Sequence, residues 1–330
     1  MLQEDVLELL QRSEGAYLSG EAMSQALGVS RAAVWKAVEA LRRAGYGIGS
    51  APNRGYRLDS APDVLRPGEI AGALEGCLVG REVVCLPTVD STSSEVKRRA
   101  AAGAPEGLAV LAGEQTRGRG RRGNAFQSLA GKGLYCSVLL RPDLPPAELS
   151  QLTAWSAVAV CRALEACCGV QAQIKWTNDI LLGGRKRGGI LTELEFEGET
   201  LRSSHVILGI GLNVSQSPAD FGPDLAPIAT SLLQELGRPV RRAELAAALL
   251  RALDGMYAGF PGERDRWLEA YRRRCATLGR QVCLLEGGER VPAFAEGLDG
   301  DFALLCRMED GSLRRVAAGE VSVRGLMGYV

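Results

Sequence analysis

Hydrophobic residues near the start of the chain recur at the spacing of amphipathic helices. Residues 3–12 place a valine and leucines on one side, Ser19 precedes a second helical stretch, and Ser30 precedes a third. Serine at these positions is a typical helix N-cap. Two short strands, Tyr46–Ile48 and Gly55–Leu58, are predicted next. A helix-turn-helix followed by a two-stranded wing is the pattern of a winged DNA-binding domain.

Charge separates along this first segment. Residues 1–30 carry one arginine and five acidic residues, whereas residues 31–57 carry six basic residues and one glutamate. The local excess of positive charge on the recognition helix and wing suits contact with phosphate, so we predict DNA binding. A protein-binding winged helix with a solvated basic face is the alternative, and Trp35 is also consistent with a partly buried position. The predicted DNA contacts are Ser30, Arg31, Trp35, Lys36 and Arg54.

From about Gly80 onward, strands and helical stretches mix, which predicts an α+β fold. The longest helical pattern, Leu149–Cys168, is predicted to pack on a sheet. Beyond Leu278 the chain shows only short strands separated by Gly-Gly and Asp-Gly turns, which is typical of a small β-barrel. The predicted domains are residues 1–62, 66–275 and 276–330, with a linker near residues 59–66.

Composition limits the possible functions. The chain has 330 residues, 46% of them hydrophobic and 24% charged, with a formal net charge of zero, so no global field attracts nucleic acid or membrane. Nine scattered cysteines without a C-x-x-C pair, and one histidine, His205, argue against zinc sites and Ser-His-Asp catalysis. Residues 1–15 lack the pattern of a signal peptide, and the longest apolar run, Leu152–Cys161, is too short to span a bilayer. We therefore expect a cytoplasmic protein.

Arginine and glycine alternate in one short loop, Gly118–Gly123. Glycine lets the backbone approach a ligand and arginine binds carboxylate or phosphate, so the loop is predicted to hold anions, with a solvated basic loop as the alternative. The loop also matches the G-x-G-x-x-G dinucleotide fingerprint, which must open a helix. Residues 124–133 lack a helical period and Leu134–Leu140 is a predicted strand. The fingerprint is therefore rejected, and the loop is predicted to join two strands.

Four further segments place polar or small residues at the ends of predicted strands. Lys175–Asp179 forms a strand and turn whose Asn178-Asp179 pair is either an ordinary turn or part of a nucleotide and Mg²⁺ site. Gly183–Gly189 is predicted to be a second basic turn. Gly209–Asn213 ends a strand with small residues that let a ligand lie against backbone. Asp90–Ser94 precedes a helix, and helix capping is a simpler explanation for its hydroxyls than ligand binding.

In this order behind a winged helix, these segments resemble the family of bifunctional biotin protein ligases and biotin operon repressors. The resemblance covers nearly the whole chain. It implies ATP- and Mg²⁺-dependent formation of biotinyl-5'-AMP and transfer of biotin to a lysine of the biotin carboxyl carrier protein of acetyl-CoA carboxylase. It also implies repression at operator DNA with biotinyl-5'-AMP as corepressor, a catalytic domain like class II synthetases and biotin–lipoate ligases, an SH3-like C-terminal domain, and a homodimer.

The resemblance implies specific roles for residues of the central segment. The implied biotin-binding residues are Ser91, Thr92, Ser93, Gln115, Arg119, Gly120, Arg121, Lys186, Gly209 and Gly211. The implied ATP-binding residues are Lys175, Asn178, Asp179 and Asn213, with Asp179 also serving Mg²⁺. The implied catalytic residues are Arg119, Arg121 and Lys186. These cations offset the repulsion between the biotin carboxylate and the α-phosphate and stabilise phosphoryl charge.

The sequence departs from the family pattern at four positions. Asn124 and Phe126 stand where the family often has arginine and tryptophan, Thr177 replaces a usual proline, and Ser93 replaces a common asparagine. Two alternative functions are a biotin-sensing repressor without ligase activity and a lipoate-type ligase. Retention of the three catalytic cations argues against the first, and the winged helix argues against the second.

Overall fold

The computed structural model describes residues 2–13, 15–196, 203–286, 289–317 and 322–325. The chain forms two compact units, Met1–Glu69 and Ile70–Val330. The strands after residue 278 belong to the second unit. The finer division into three domains stays a prediction.

The first unit is a winged helix, as the hydrophobic pattern predicts. Its helices and strands are α1 (Leu2–Arg12), α2 (Gly20–Leu27), α3 (Arg31–Arg43), β1 (Gly47–Ala51) and β2 (Gly55–Ser60). β1 and β2 pair as an antiparallel hairpin.

Helix N-caps and an apolar core stabilise this unit. The hydroxyl of Ser19 accepts a hydrogen bond from the Ala22 amide at 3.0 Å, and Ser30 accepts one from the Ala33 amide at 3.2 Å. Both caps therefore satisfy a helix-end donor, as predicted. Apolar side chains from the three helices form the core, including the fully buried Val6, Leu10, Met23, Val34 and Val38.

The second unit is built on a mixed seven-stranded sheet. Its strands are β3 (Glu82–Leu86), β4 (Leu108–Ala112), β5 (Gly133–Leu140), β6 (Gln173–Lys175), β7 (Asp179–Leu182), β8 (Arg185–Phe196) and β9 (Ser203–Asn213). They lie in the order β3-β4-β5-β9-β8-β7-β6. β3 and β4 are parallel, and the other neighbouring strands are antiparallel.

Helices lie before, between and after the strands of this sheet. They are α4 (Pro67–Ala71, which straddles the boundary of the two units), α5 (Thr92–Ala101), α6 (Pro146–Leu149), α7 (Leu152–Cys168), α8 (Pro218–Leu225), α9 (Leu232–Leu236), α10 (Arg242–Gly259) and α11 (Arg264–Arg274). α5 packs on β4, β5 and β9, whereas α7 packs on β6, β7 and β8 and also contacts α10 and α11. α7 is buried on nearly every side, which explains its continuous apolar sequence.

The C-terminal part forms a five-stranded antiparallel sheet, which confirms the predicted succession of short strands; its closure into an SH3-like β-barrel stays a prediction. Its strands are β10 (Arg280–Glu286), β11 (Glu289–Leu298), β12 (Leu304–Met308), β13 (Leu313–Val316) and β14 (Ser322–Gly325). Their order is β13-β12-β11-β10-β14.

The prediction of a basic turn over Gly183–Gly189 is wrong. The turn is confined to Gly183 and Gly184, whose φ angles of 57° and 74° lie in the left-handed region that glycine adopts without strain. β8 begins directly afterwards at Arg185, and Arg187 is completely buried.

Within the described ranges, no helix is both long enough and apolar enough to cross a bilayer.

Candidate active site

A cavity of about 410 Å³ lies in the second unit where the β4–β5 loop, the β6–β7 turn and strands β8 and β9 meet. Every predicted biotin- or ATP-binding residue except Asn213 lines it. These residues are Ser91, Thr92, Ser93, Gln115, Arg119, Gly120, Arg121, Lys175, Asn178, Asp179, Lys186, Gly209 and Gly211. The fold therefore brings together side chains from segments more than a hundred residues apart in sequence.

A buried network of hydroxyls and one amide forms one wall of the cavity. Gln115 Oε1 accepts hydrogen bonds from the Thr92 amide at 2.8 Å and from Thr92 Oγ1 at 3.1 Å. Ser137 Oγ lies 2.7 Å from Thr92 Oγ1 and 3.0 Å from Ser93 Oγ. Gln115 Nε2 donates to Ser128 Oγ at 2.8 Å, which fixes the orientation of the amide.

Two members of this network, Ser128 and Ser137, were not identified from the sequence. Both are buried, Ser137 completely. The only local signal for Ser137 is a hydroxyl within an otherwise apolar strand, where a buried polar group requires a partner. Ser91 lies beside the network. Its backbone amide donates a hydrogen bond to Asp90 Oδ1 at 2.8 Å.

Two predicted catalytic cations are held by partners from the β6–β7 turn. Nζ of Lys186 lies 2.7 Å from Oδ1 of Asp179. Nη1 of Arg121 donates to Oδ1 of Asn178 at 2.9 Å, and Asn178 Nδ2 donates to the Ile190 carbonyl at 3.0 Å. Burial lowers the pKa of Arg121, and the nearby Asp179 carboxylate opposes that shift. Both cations are thus preorganised at the cavity wall.

The third cation, Arg119, is more exposed. Its Nη2 lies 3.0 Å from Oε2 of Glu193 on β8, and its side chain is 44% exposed. An ion pair of this exposure contributes about 0–1 kcal/mol. A ligand anion can therefore replace Glu193 as the partner of Arg119 at small cost.

The Arg/Gly loop joins two strands, as predicted. Residues 121–123 form one 3-10 turn, and Arg122 has a φ of 56°. Arg119 and Ala125 form an isolated antiparallel bridge across the loop. No α-helix follows the loop before β5, which confirms the rejection of the dinucleotide fingerprint.

Two glycines of β9 line the cavity in close contact with neighbouring side chains. A Cβ at Gly209 would come within 2.8 Å of Ser93 Oγ, and a Cβ at Gly211 would come within 2.6 Å of the Phe126 ring. Phe126, one of the departures from the family pattern, also makes an edge contact with Tyr135 at a centroid distance of 6.3 Å. Close packing of Ser93 and Phe126 therefore requires glycine at both positions.

An apolar wall, which sequence reasoning missed, comes from the segment after β9. Leu225 and Ile228 line the cavity, although Leu225 remains 43% exposed. The backbone of Lys186 holds this segment, because its amide donates to the Ile228 carbonyl at 2.7 Å and its carbonyl accepts from the Thr230 amide at 2.8 Å. Lys186 thus supplies a cation to the cavity through its side chain and anchors an apolar wall through its backbone.

Asn213 does not reach the cavity. It is buried, its Nδ2 donates to the Thr230 carbonyl at 3.0 Å, and its Oδ1 accepts from Gln216 at 3.1 Å. These contacts explain the residue as a support for the segment that carries Leu225 and Ile228. Its predicted contact with ATP stays a prediction.

The C-terminal part of the unit holds the β6–β7 turn from behind. The Trp176 amide donates to Thr277 Oγ1 at 2.9 Å, and Trp176 Nε1 donates to the Phe302 carbonyl at 2.9 Å. The Tyr271 hydroxyl donates to the Thr177 carbonyl at 3.1 Å. The turn that carries Asn178 and Asp179 therefore depends on contacts with residues about a hundred positions away.

The carboxylate at the cavity wall suits a magnesium ion that is bound together with a nucleotide. Among the residues that the structure describes, no group of three His, Cys, Asp or Glu side chains is arranged to hold a metal ion. Mg²⁺ in nucleotide sites is typically bound by one or two carboxylates together with phosphates and water. The Asp179 carboxylate at the cavity wall fits that mode.

The predicted DNA-contacting residues of the first unit, Ser30, Arg31, Trp35, Lys36 and Arg54, are all exposed. Trp35 is 53% exposed, so it is not a core residue, and Lys36 is also exposed. Nη1 of Arg31 lies 3.7 Å from Oε2 of Glu21, with 73% of the arginine side chain exposed. Ser30 serves as the N-cap of α3.

The wing carries a second cationic feature. The guanidinium groups of Arg54 and Arg57 lie over the ring of Tyr17, 4.6 Å and 4.9 Å from its centroid. The ring holds both cations at the hairpin, where a phosphate backbone contacts the wing in winged-helix proteins.

Comparisons with known proteins agree with this geometry. The profile of the biotin/lipoate A/B protein ligase family matches residues 86–213, and the profile of an HTH domain matches residues 2–57. The chain belongs to the biotin/lipoate A/B protein ligase family and carries an N-terminal helix-turn-helix domain.

Individual relatives match over nearly the full length. The bifunctional ligase/repressor BirA of Bacillus subtilis is 40% identical over 327 residues, covering 98% of each chain. The bifunctional ligase/repressor BirA of Escherichia coli is 31% identical and covers 94% of each chain. Among solved structures, the biotin protein ligase from Aquifex aeolicus in complex with biotin and ATP aligns with a TM-score of 0.64 and 28% identity, covering 74% of this chain and 99% of that one.

Proposed function

We propose that this protein is an ATP-dependent biotin protein ligase that also represses transcription by binding DNA. The observation that carries the ligase proposal is the convergence of three cations, Arg119, Arg121 and Lys186, on one cavity that also contains a buried hydroxyl–amide network. The cations suit two anions brought together, and the network suits a neutral polar ring.

The hydroxyl–amide network supplies the site for the ureido ring of biotin. Ser91, Thr92, Ser93 and Gln115 present both donors and acceptors at one end of the cavity. Gly209 and Gly211 of β9 line the same cavity. The carboxylate of biotin then extends toward the cations at the other end.

The chemistry proceeds in two steps without an enzyme-bound covalent intermediate. An oxygen of the biotin carboxylate attacks the α-phosphorus of ATP, and the bond to pyrophosphate breaks. The amine of a carrier lysine then attacks the acyl carbon of biotinyl-5'-AMP, loses a proton, and AMP leaves. In the first step, Lys186 and the two arginines offset the repulsion between carboxylate and phosphate and stabilise the charge of the transition state.

Lys175, Asn178 and Asp179 are positioned to serve ATP, and Asp179 would hold Mg²⁺ with the phosphates. When bound, this ion neutralises phosphoryl charge. The Gly118–Gly123 loop shields the adenylate from water until the carrier arrives, a role for which a loop with flexible glycine hinges is suited.

The proposed function as ligase and repressor implies two macromolecular partners. They are the biotin carboxyl carrier protein of acetyl-CoA carboxylase at the cavity and operator DNA at the basic face of the first unit. Biotinyl-5'-AMP is the proposed corepressor, and a homodimer on a two-fold operator is the proposed DNA-binding form.

A transfer assay tests the ligase proposal. The protein is incubated with ATP, Mg²⁺, biotin and a biotin carboxyl carrier domain, and biotinylated carrier is detected by its mass. We expect biotin on one lysine, and no product when lipoate replaces biotin. Absence of biotinylated carrier would refute the ligase, and transfer of lipoate alone would support the lipoate-type alternative.

A further inference from the structure

The exposed side of helix α3 is apolar at its N-terminal end. Val34, Val38 and Leu41 face the core of the first unit and are buried. Ala32 and Trp35 lie on the solvent side instead. Trp35 is 53% exposed, the largest exposed fraction among the large hydrophobic residues that the structure describes. An isolated exposed hydrophobic residue is ordinary on a protein surface, so the position of Trp35 on the helix decides what it contacts.

That position is one from which a side chain reads bases. In helix-turn-helix proteins the second helix lies in the major groove, and its N-terminal residues contact base edges. Here that helix is α3, which begins at Arg31 directly after its N-cap Ser30. Trp35 lies three positions after Ala32 and four after Arg31, so these side chains are neighbours on one face of the helix.

Cations flank this apolar surface. Lys36 is exposed next to Trp35. Arg31 has 73% of its side chain exposed, and its Nη1 lies as far as 3.7 Å from Oε2 of Glu21. Such an exposed pair contributes about 0–1 kcal/mol, so a phosphate can replace Glu21. Arg54 on the wing is exposed as well. The charge around the apolar surface therefore favours a polyanion as its occupant.

The chemistry of the major groove decides which base suits Ala32 and Trp35. The polar edges of guanine, adenine and cytosine are read by charged or amide side chains. The C5-methyl group of thymine is the apolar feature that a base pair presents in this groove, and apolar side chains read it. An indole ring beside a small alanine offers that contact, and the indole N–H stays available for an acceptor of the DNA.

We propose that Ala32 and Trp35 form an apolar patch that reads a thymine methyl group in the operator, while Arg31, Lys36 and Arg54 contact phosphates. The reading of thymine rests on the proposed DNA binding and adds the base that α3 selects. The patch supplies sequence specificity, whereas the cations supply affinity that is shared by all sequences. Burial of one methyl group changes affinity by about fourfold.

Selection from a random duplex library identifies the DNA that the full-length protein prefers in the presence of biotin and ATP. We expect wild type to enrich a sequence with thymine at a fixed position of the half-site. Trp35→Ala should lose the preference at that position and keep the others. The duplex that wild type selects is the probe for the affinity measurements.

Replacement of that thymine by uracil removes only the methyl group. Fluorescence anisotropy with wild type should show a loss of affinity of about fourfold for each half-site, and this loss should vanish in Trp35→Ala. Trp35→Phe keeps an apolar ring and should retain part of the discrimination. Lys36→Gln is the matched control, because it should weaken binding to both duplexes equally and leave the ratio of the thymine and uracil affinities as in wild type.

The outcomes separate the reading of thymine from the DNA binding on which it rests. A loss with uracil that Trp35→Ala leaves unchanged would overturn the reading of thymine, while DNA binding would stand. Equal weakening of both duplexes by Trp35→Ala would make Trp35 a phosphate contact and would also overturn it. Enrichment of no sequence by wild type would overturn DNA binding and the reading of thymine together. In sedimentation without DNA, a lower mass for Trp35→Ala than for wild type would assign the patch to a second copy of the chain, against the proposal.

Discussion

The two cationic surfaces of this protein are built differently. In the cavity, Lys186, Arg121 and Arg119 each have a carboxylate or amide partner at 2.7–3.0 Å. On the first unit, Lys36 and Arg54 are exposed side chains on a helix and a hairpin. Lys186 and Arg121 are held in place before a ligand arrives, whereas the exposed cations of the first unit are surrounded by water and ions.

This difference predicts two kinds of binding. A preorganised cation acts on a small anion by direct contact at a defined distance, which is what stabilisation of a transition state requires. An exposed cation acts on DNA mainly through release of counterions, which makes affinity depend steeply on salt. Single substitutions on each surface separate these two kinds of binding.

Lys186→Gln should reduce the rate of adenylate formation by roughly 10²–10³, because it removes the cation that is proposed to contact both carboxylate and phosphate. The rate is measured by pyrophosphate release with biotin and ATP at saturation. Arg185→Gln is the matched control, since Arg185 pairs with Glu235 at 2.7 Å and does not line the cavity. Equal losses in both variants would mean that strand β8, not the cation, is responsible.

Arg121→Ala should release biotinyl-5'-AMP into solution about tenfold faster than wild type. The substitution removes the hydrogen bond to Asn178 that ties the loop to the β6–β7 turn, a bond worth about 1.5–3 kcal/mol when a charged group takes part. Dissociation is followed by rapid filtration of labelled adenylate. Arg117→Ala, at an exposed position next to the loop, should not change the rate of adenylate release. An unchanged rate of release from Arg121→Ala would count against loop closure.

Thr277→Val should raise the KM for ATP several-fold while kcat changes less. The hydroxyl of Thr277 accepts a hydrogen bond from the Trp176 amide behind the β6–β7 turn. Loss of the hydroxyl leaves this buried donor unpaired, at a cost of about 1–3 kcal/mol. Initial rates against ATP concentration separate the two constants. Ser312→Ala, in a hairpin of the same C-terminal sheet, is the control, and an equal effect there would indicate general destabilisation.

Lys36→Gln should reduce the slope of log affinity for operator DNA against log salt by about one, without altering adenylate formation. Fluorescence anisotropy between 50 and 300 mM salt measures the slope. Arg12→Gln removes an exposed cation of α1 that pairs with Glu8 and should leave the slope unchanged. A loss of adenylation in Lys36→Gln would show that the two cationic surfaces are coupled.

Most of the fold was predictable because its signals are local. Serine caps, Gly turns and apolar periodicity specify the winged helix within about sixty residues. The strand-to-strand setting of Gly118–Gly123 was predictable because residues 124–133 lack helical periodicity. The convergence of the cations on one cavity, by contrast, was expected from a family resemblance and has a geometric basis only in the folded sheet.

The parts that the sequence did not reveal depend on distant partners. Arg187 belongs to a segment rich in Gly, Lys and Arg that favours a turn, yet the packing of α7 on β8 buries it. Leu225 and Ile228 become cavity residues only because the backbone of Lys186 holds their segment. The support of Trp176 by Thr277 joins residues separated by 101 positions, which no periodicity reports.

The paired cations of the cavity are proposed to join a carboxylate to the α-phosphate of ATP. A single-turnover reaction with α-labelled ATP and biotin, without carrier protein, tests it most directly. We expect labelled biotinyl-5'-AMP to accumulate to about one per chain in wild type and to form much more slowly in Lys186→Gln. Binding of biotin and operator DNA with no labelled adenylate in wild type would contradict the claim and identify a sensor without ligase activity.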